Sequence, residues 1–383
     1  FRANFVEDLR NWRLGESYSP ERMARLRRDI TSTGAVSLAT TRLEPPNAEG
    51  VRDVVLEVEP ARRNAYEVGL GYSTNEGFGI DLQWTRRNFT GRADSLIIAT
   101  TLGEQVQELS ARLARPHDVA LNTTTNYGVT LIAENTEAYQ REGVSVFASV
   151  DAGTRLSFAQ SYGLKLSADT YDDVGAGVST AYAISGFWDV RRDTAGFSLD
   201  PREGSIIDFR LEPTYATGDA DVVFLRGIGE GRLYESFGAQ DRITLAGRLR
   251  AGWLEAVSGD VNDVPADRRF FAGGGGSVRG YDYNSIYPPE REILALTPGG
   301  QGLVETSVEA RWRVTDTWGA AVFIDGGNAF DDWGEAADLR WGVGFGVRYD
   351  LGFAPLRLDV AFPLDDSVTT ADYALYISLG QAF

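Results

Sequence analysis

The stretch Leu339-Arg340-Trp341-Gly342-Val343-Gly344-Phe345-Gly346-Val347-Arg348-Tyr349 alternates without a break. Leu339, Trp341, Val343, Phe345, Val347 and Tyr349 share one parity, and Arg340, Gly342, Gly344, Gly346 and Arg348 share the other. Successive side chains of a strand point to opposite faces, so this spacing predicts a strand with one apolar face and one small or charged face. The rhythm recurs on either side. Tyr66, Val68, Leu70 and Tyr72 oppose Glu67, Gly69 and Gly71, while Phe78, Ile80, Leu82 and Trp84 oppose Gly79, Asp81, Gln83 and Thr85. Val304, Val308, Ala310 and Trp312 oppose Glu305, Ser307, Glu309 and Arg311, and Leu356, Leu358, Val360 and Phe362 oppose Arg357 and Asp359. A last run, Tyr373, Leu375, Ile377 and Leu379, leads to the terminal Phe383.

About 16 such segments begin near residues 64, 77, 94, 105, 121, 142, 155, 178, 203, 220, 240, 302, 317, 338, 354 and 372. An even number of long alternating strands is the signature of a transmembrane β-barrel. Many span ten residues or more, beyond the usual soluble strand of about 5–6 and suited to a tilted membrane strand of about 9–11. Arg and Glu on a water-filled inner face keep their hydration, whereas on the lipid face an Arg costs roughly 2–4 kcal/mol near the midplane. Trp84, Trp312, Trp318 and Trp341 fall on apolar faces, where interfacial girdles or packing would use them. The alternative is a soluble sandwich or solenoid with one face packed and one wet. The expected fold is mainly β: a 16-stranded antiparallel transmembrane barrel over residues 63–383, preceded by a small α+β unit over residues 1–62.

Composition narrows the chemistry. The 383 residues include 37 basic and 55 acidic side chains, for a net charge of -18, which argues against nucleic-acid binding. There is no Cys and one His, His117, so thiolate sites, disulfides and multi-His metal centres are excluded; no metal or cofactor is expected. The longest apolar stretch, Trp318–Ile324, is far short of the roughly 20 residues of a membrane helix, a test that β-barrels escape. The Asp pairs at 172–173, 331–332 and 365–366 read as scattered turn residues, and a working acid–base dyad needs a shared pocket. No enzymatic role is expected.

The first 60 residues follow a different rhythm. Phe5, Val6 and Leu9 form a short helical stripe. Ser19 reads as an N-cap, followed by Pro20 and Glu21, with Met23, Leu26 and Ile30 at helical spacing and Gly34 as the stop. Val36 and Leu38, then Val54, Leu56 and Val58, mark two strands separated by Pro45-Pro46-Asn47 and Gly50. The unit offers little core of its own and is expected to lack an upstream strand.

One segment breaks the strand pattern, a connection of about 46 residues over about 256–301. Loops this long are usually functional or disordered. Its centre reads Arg268-Arg269-Phe270-Phe271-Ala272-Gly273-Gly274-Gly275-Gly276-Ser277-Val278-Arg279-Gly280-Tyr281-Asp282-Tyr283. The Gly run is no phosphate cradle, because neither the Lys nor the helix that a P-loop requires follows it. It reads instead as backbone packed where no side chain fits.

Val278-Arg279-Gly280-Tyr281 resembles the VRGF/Y motif in the long sixth extracellular loop of the BamA/TamA and two-partner-secretion superfamily. That family also carries an acidic residue on the next strand and an F-x-D-x-G motif on the one after. Here these are Glu309 and Phe323-Ile324-Asp325-Gly326-Gly327. Parity alone places Glu309 and Asp325 on the inner face. The resemblance implies that the loop folds back into the lumen and that Arg279 pairs with both carboxylates. The N-terminal unit resembles a POTRA domain without its first strand, and Phe383 resembles the terminal aromatic of an outer-membrane β-signal. The compact connections are most similar to TamA-type members.

The resemblance further implies a location in the bacterial outer membrane with the POTRA unit in the periplasm. It implies insertion of β-barrel or autotransporter substrates through a lateral seam between the first and last strands, with Tyr66, Gly69, Gly71, Leu379, Gly380 and Phe383 along it. The implied partners are unfolded outer-membrane or autotransporter proteins, outer-membrane lipid and a TamB-like inner-membrane-anchored protein. A general BamA-type insertase and a two-partner-secretion pore exporting a dedicated exoprotein are the alternatives. A passive porin would need neither the POTRA unit nor the VRGY segment.

Overall fold

A computed structural model describes residues 1–10, 12–152, 158–173, 177–196, 198–365 and 372–383. The N-terminal module consists of α1 (Ala3–Leu9), α2 (Pro20–Ser32) and the antiparallel pair β1 (Val36–Leu43) and β2 (Val54–Pro60). Ser19 caps α2 by accepting from the Arg22 N–H at 3.4 Å, Pro20 occupies the first turn, and Gly34 takes a left-handed φ of 69° just past the end. Phe5, Leu9, Leu26, Ile30 and Val36 form a small core that also takes in Ala93.

Ala93 belongs to the barrel, so the module is docked onto it. Arg2 N–H donates to the Gly91 carbonyl at 2.8 Å. On another turn of the same rim, His117 Nε2 lies 3.1 Å from the Asp29 carbonyl while its Nδ1 accepts from the Asn122 N–H at 3.0 Å. Because Nδ1 accepts, the proton sits on Nε2, which donates to α2.

The barrel begins directly after the module. Its first half comprises β3 (Asn64–Ser73), β4 (Gly77–Arg87), β5 (Ser95–Gly103), β6 (Val106–Pro116), β7 (Thr123–Asn135), β8 (Tyr139–Ala152), β9 (Phe158–Asp173) and β10 (Gly177–Asp193). The second half comprises β11 (Gly204–Gly218), β12 (Val222–Phe237), β13 (Ile243–Ser258), β14 (Gly302–Arg313), β15 (Trp318–Phe330), β16 (Arg340–Asp350), β17 (Pro355–Pro363) and β18 (Ala374–Leu379). All sixteen pair antiparallel with their sequence neighbours, and β18 meets β3 to close the ring. The starts lie within a few residues of those predicted. One boundary moves: β13 runs on to Ser258 because Glu255 and Ala256 still pair with Leu225 and Phe224, so the long connection is 259–301.

The registers keep the two parities apart around the ring. The row Ile243, Trp312, Ala320, Val347, Leu358 and Ile377 faces outward, while the next row, containing Thr244, Arg311, Ala321 and Gly346, faces the lumen. Aromatic rings cover several strand glycines from the neighbouring strand, as Phe147 does Gly128 and Trp253 does Gly227. Wall height is uneven. β9 and β10 have 16 and 17 residues, whereas β3 has 10 and β18 only 6. The wall is therefore short where the ring closes.

The two faces are expected to respond oppositely to charge. Leu131→Arg on the outer face of β7 should lower unfolding free energy in lipid vesicles by about 2–4 kcal/mol, while Thr130→Arg on the inner face should cost far less. Urea titration in vesicles measures both, and equal costs would mean that the outer face does not contact lipid.

Candidate functional site

The 259–301 connection turns inward and fills the lumen instead of extending beyond the rim. Its Val264, Phe270, Ala272, Val278, Tyr281 and Ile286 pack against Phe224, Leu254, Leu303 and Ala329 of the wall in one buried cluster. Two isolated bridges, Phe270 to Gly300 and Ala272 to Ile286, fold the segment on itself. Gly273, Gly274 and Gly280 have φ of 102°, 101° and 102°, a region that a side chain other than Gly rarely adopts. This accounts for the glycine run as a folded turn.

At the tip of the turn Arg279 is 2% exposed. Its Nε and Nη2 donate to Asp325 Oδ2 and Oδ1 at 2.6 and 3.0 Å, a two-pronged pair, and its backbone N–H donates to the same carboxylate at 3.2 Å. Its Nη1 reaches Glu309 Oε2 at 2.8 Å and Asp359 Oδ2 at 3.3 Å. The guanidinium lies over the Phe323 ring, 3.3 Å from its centre. A buried guanidinium is tolerated only when paired and hydrogen-bonded, and this one has carboxylates on three strands, β14, β15 and β17.

Glu309 and Asp325, singled out in the sequence with Arg279, therefore meet it. Asp359 was missed: alternation placed it on the inner face, but no motif marked it. The neighbouring Val278 packs in the buried cluster, Gly280 N–H donates to the Tyr376 hydroxyl at 3.0 Å, and Tyr281 donates its hydroxyl proton to the Trp341 carbonyl at 3.1 Å. The inward glycines of β16 now have a reason. A Cβ at Gly342 would collide with the Arg279 carbonyl, one at Gly344 with Phe323, and one at Gly346 with Asp359. The alternating Gly residues form a side-chain-free floor: Gly342 meets the loop itself, and Gly344 and Gly346 leave room for Phe323 and Asp359, which touch Arg279.

Further ties reach the rest of the ring. Arg268 Nη1 donates to Glu212 at 2.7 Å, and Asp267 accepts from the Tyr171 hydroxyl at 2.7 Å and lies 3.2 Å from Arg141. Burial would push the Asp267 carboxyl up, but Arg141 and Arg268 hold it at about 2. On the side where the ring closes, the carboxylate of Glu76, in the β3–β4 turn, accepts from the Gly275 N–H. Burial raises the Glu76 carboxyl, and the Gly275 N–H opposes that rise. The sequence held no signal for these contacts, which join residues far apart in the chain.

The closing seam is thin. β18 pairs with β3 at only three positions, Tyr376–Ser73, Ile377–Tyr72 and Ser378–Gly71, whereas β3 pairs with β4 at ten. Asn64–Leu70 thus lacks a partner strand on that side. Of the residues expected along the seam, Gly71 pairs across it. Tyr66 and Gly69 lie on the open edge and pair only with Trp84 and Asp81 of β4. Leu379 pairs with Leu356 of β17, and Gly380 turns the chain away with φ of 89°. Phe383 leaves the seam: its ring lies 5.5 Å from the Arg311 guanidinium and its carbonyl oxygen accepts from Arg311 Nη2 at 3.0 Å. Once β18 turns inward, the terminal aromatic gains a packed cationic site that the seam does not offer.

Of the Asp pairs, that at 172–173 ends β9, where Asp173 keeps one buried carboxylate oxygen without a hydrogen bond among the described residues, and the others have local partners. Asp331 accepts from Arg291 at 2.7 Å, Asp332 caps a single turn through the Gly334 N–H, and Asp365 pairs with Arg340 at 2.8 Å; Asp366 lies outside the described residues.

A family model for the Omp85 superfamily domain matches residues 88–383. The chain belongs to the Omp85 superfamily. It is accordingly an outer-membrane β-barrel protein of that group. Among curated Omp85 relatives, the outer membrane protein assembly factor BamA of Nitratidesulfovibrio vulgaris is 25% identical over 417 residues, covering 98% of this chain. This chain spans 49% of that relative's length. Among solved structures, BamA from Haemophilus ducreyi lacking POTRA domains 1–3 superposes with a TM-score of 0.77 at 15% identity, covering 98% of this chain and 81% of that one. CdiB from Acinetobacter baumannii superposes with a TM-score of 0.61 at 14% identity, covering 99% and 71%.

Removing the guanidinium leaves the buried Asp325 carboxylate without its ion pair and takes one cation from Glu309 and Asp359. Arg279→Ala is expected to destabilise the folded barrel by about 3–5 kcal/mol and to open 259–301 to protease. Urea unfolding with limited proteolysis in detergent tests this; wild-type protection would show that the pairing does not hold the loop. Gly342→Val should expose the same segment with every charge intact, because its side chain takes the place of the Arg279 carbonyl.

Proposed function

We propose that this protein is an outer-membrane assembly factor that inserts β-barrel or autotransporter substrates through the β3–β18 seam. The observation that carries the reading is the seam itself: three register pairs and the Thr74–Leu375 hydrogen bonds hold it, and among the described residues Asn64–Leu70 has no partner strand at this edge. An unpaired edge templates an incoming strand by β-augmentation. The short wall there adds to this, since a hydrophobic band shorter than the bilayer core thins the lipid beside it and lowers the barrier to entry. In this reading Gly69 and Gly71 keep the edge weakly packed, and the VRGY segment, held by Glu309 and Asp325, keeps the lumen filled while the seam opens.

The N-terminal module, α1, α2, β1 and β2, is in the same reading a POTRA unit that receives substrate in the periplasm. The alignment of 98% of this chain with a BamA lacking POTRA domains 1–3 supports it. The short connections at the loop end, such as those between β3 and β4 and between β5 and β6, favour a TamA-type member with a TamB-like inner-membrane partner. A two-partner-secretion pore is the second reading, favoured by the CdiB likeness. Export through the lumen would require the packed loop to leave, whereas insertion through the seam leaves it in place.

Tyr72 and Ile377 are register partners across the seam, and the chain has no other Cys to interfere. Tyr72→Cys with Ile377→Cys, oxidised, is expected to abolish substrate insertion into vesicles and to recover it on reduction. Insertion at the wild-type rate with the bond formed would remove the seam from the mechanism.

A further inference from the structure

The lumen wall beside the seam carries a cluster of guanidinium groups, one of which is left short of hydrogen-bond acceptors among the described residues. Four guanidinium groups, Arg279, Arg311, Arg348 and Arg357, share three carboxylates, Glu309, Asp325 and Asp359. Arg311 also holds the terminal Phe383 carbonyl oxygen, and Arg348 also reaches Gln381 Oε1 at 2.9 Å. Asp359 is divided among Arg279, Arg348 and Arg357, and Arg357 Nε stands 3.5 Å from it without a hydrogen bond. Arg357 is 7% exposed, and among the described residues its Nε and Nη1 have no hydrogen-bond partner. Leaving a buried charged donor without an acceptor is costly, so the arrangement favours an anionic oxygen at this position.

There is room for one. The registers place Gly103, Gly79, Gly71, Ser378, Arg357 and Arg348 in a single inward row across five strand pairings. Three glycines and a serine stand where larger side chains would fill the lumen, and with Arg357 they border a cavity of about 360 Å³. Glu76 lines the same cavity, its carboxylate engaged by the Gly275 N–H and within electrostatic reach of Arg357, to which it makes no hydrogen bond. The row crosses the seam at the Gly71–Ser378 pair, so a strand pairing with β3 in the register of β18 sets one inward side chain in it.

We infer that Arg357 and the adjoining glycine-lined cavity form a receiving site for a carboxylate side chain, Asp or Glu, on the lumen face of a strand that enters through the seam. The inference rests on the seam reading above and adds a preference to it: the incoming strand is selected by charge at one register position. The same oxygen chemistry could come from a free anion, which the test separates.

The test uses the protein in lipid nanodiscs and a labelled peptide reproducing residues 374–383, with either Glu or Gln in place of Ser378. The Glu peptide is expected to bind roughly tenfold tighter than the Gln peptide, the equivalent of one charge-assisted hydrogen bond. Arg357→Met should erase the difference and Arg357→Lys should restore part of it. Equal binding of the two peptides, or a preference that survives Arg357→Met, would overturn the site while leaving the seam reading intact. Failure of both peptides to bind would overturn the site and the seam reading together. Inorganic phosphate that protects the protein against thermal unfolding through Arg357, with no Glu preference, would assign the site to a free anion and overturn the strand proposal. Within the chain itself, Ser378→Glu should melt higher than Ser378→Gln, and the reverse order would count against the site even if Arg357→Met does not fold.

Discussion

A single buried guanidinium organises the interior of this barrel. Arg279 is drawn onto carboxylates from β14, β15 and β17, and its backbone N–H joins the same group. Glu309 and Asp359 also meet Arg311, Arg348 and Arg357 of the wall, but among the described residues the buried Asp325 has its ion pair with Arg279. Loop and wall are therefore mutually dependent: the wall needs the charge, and the loop needs the acceptors. The left-handed glycines of the turn and the side-chain-free floor of β16 follow as steric conditions for bringing the tip within reach.

The seam follows an opposite principle. Elsewhere the ring is held by longer ladders, from six pairs between β17 and β18 to those of the 16- and 17-residue strands β9 and β10. At the junction of β3 with β18, pairing stops after three positions, Gly380 bends the chain inward, and Phe383 goes to Arg311. The loop bridges the two sides of this weak junction, since Gly275 engages Glu76 beside β3 and Gly280 engages Tyr376 on β18. A rigid interior thus stands beside a wall that is marginal along one line. That combination suits a protein whose ring must open without collapsing.

Alternation made most of this fold legible. A period of two with one apolar face leaves little freedom in which side a residue takes, so the strand starts and the inward placement of Glu309, Asp325 and Asp359 could all be read. The partnership of Arg279 with Glu309 and Asp325 came from the motifs and not from the rhythm. Asp359 stayed silent because an inward Asp on a strand looks the same whether it is hydrated or clasped. The Arg268–Glu212 and Glu76–Gly275 contacts were illegible for a simpler reason: they depend on how the loop crosses the lumen, which no local pattern encodes. The path of Phe383 was likewise hidden, because a terminal aromatic continues a strand pattern equally well whether or not the preceding glycine bends.

Charge pairing fixes the VRGY tip inside the barrel. Hydrogen–deuterium exchange of the Arg279 and Gly280 amides in the intact protein in lipid measures this most directly, because these N–H groups donate to Asp325 and to the Tyr376 hydroxyl. Protection on the timescale of the β14–β17 strand amides is the result this account requires. Exchange as fast as that of a solvated loop would contradict it.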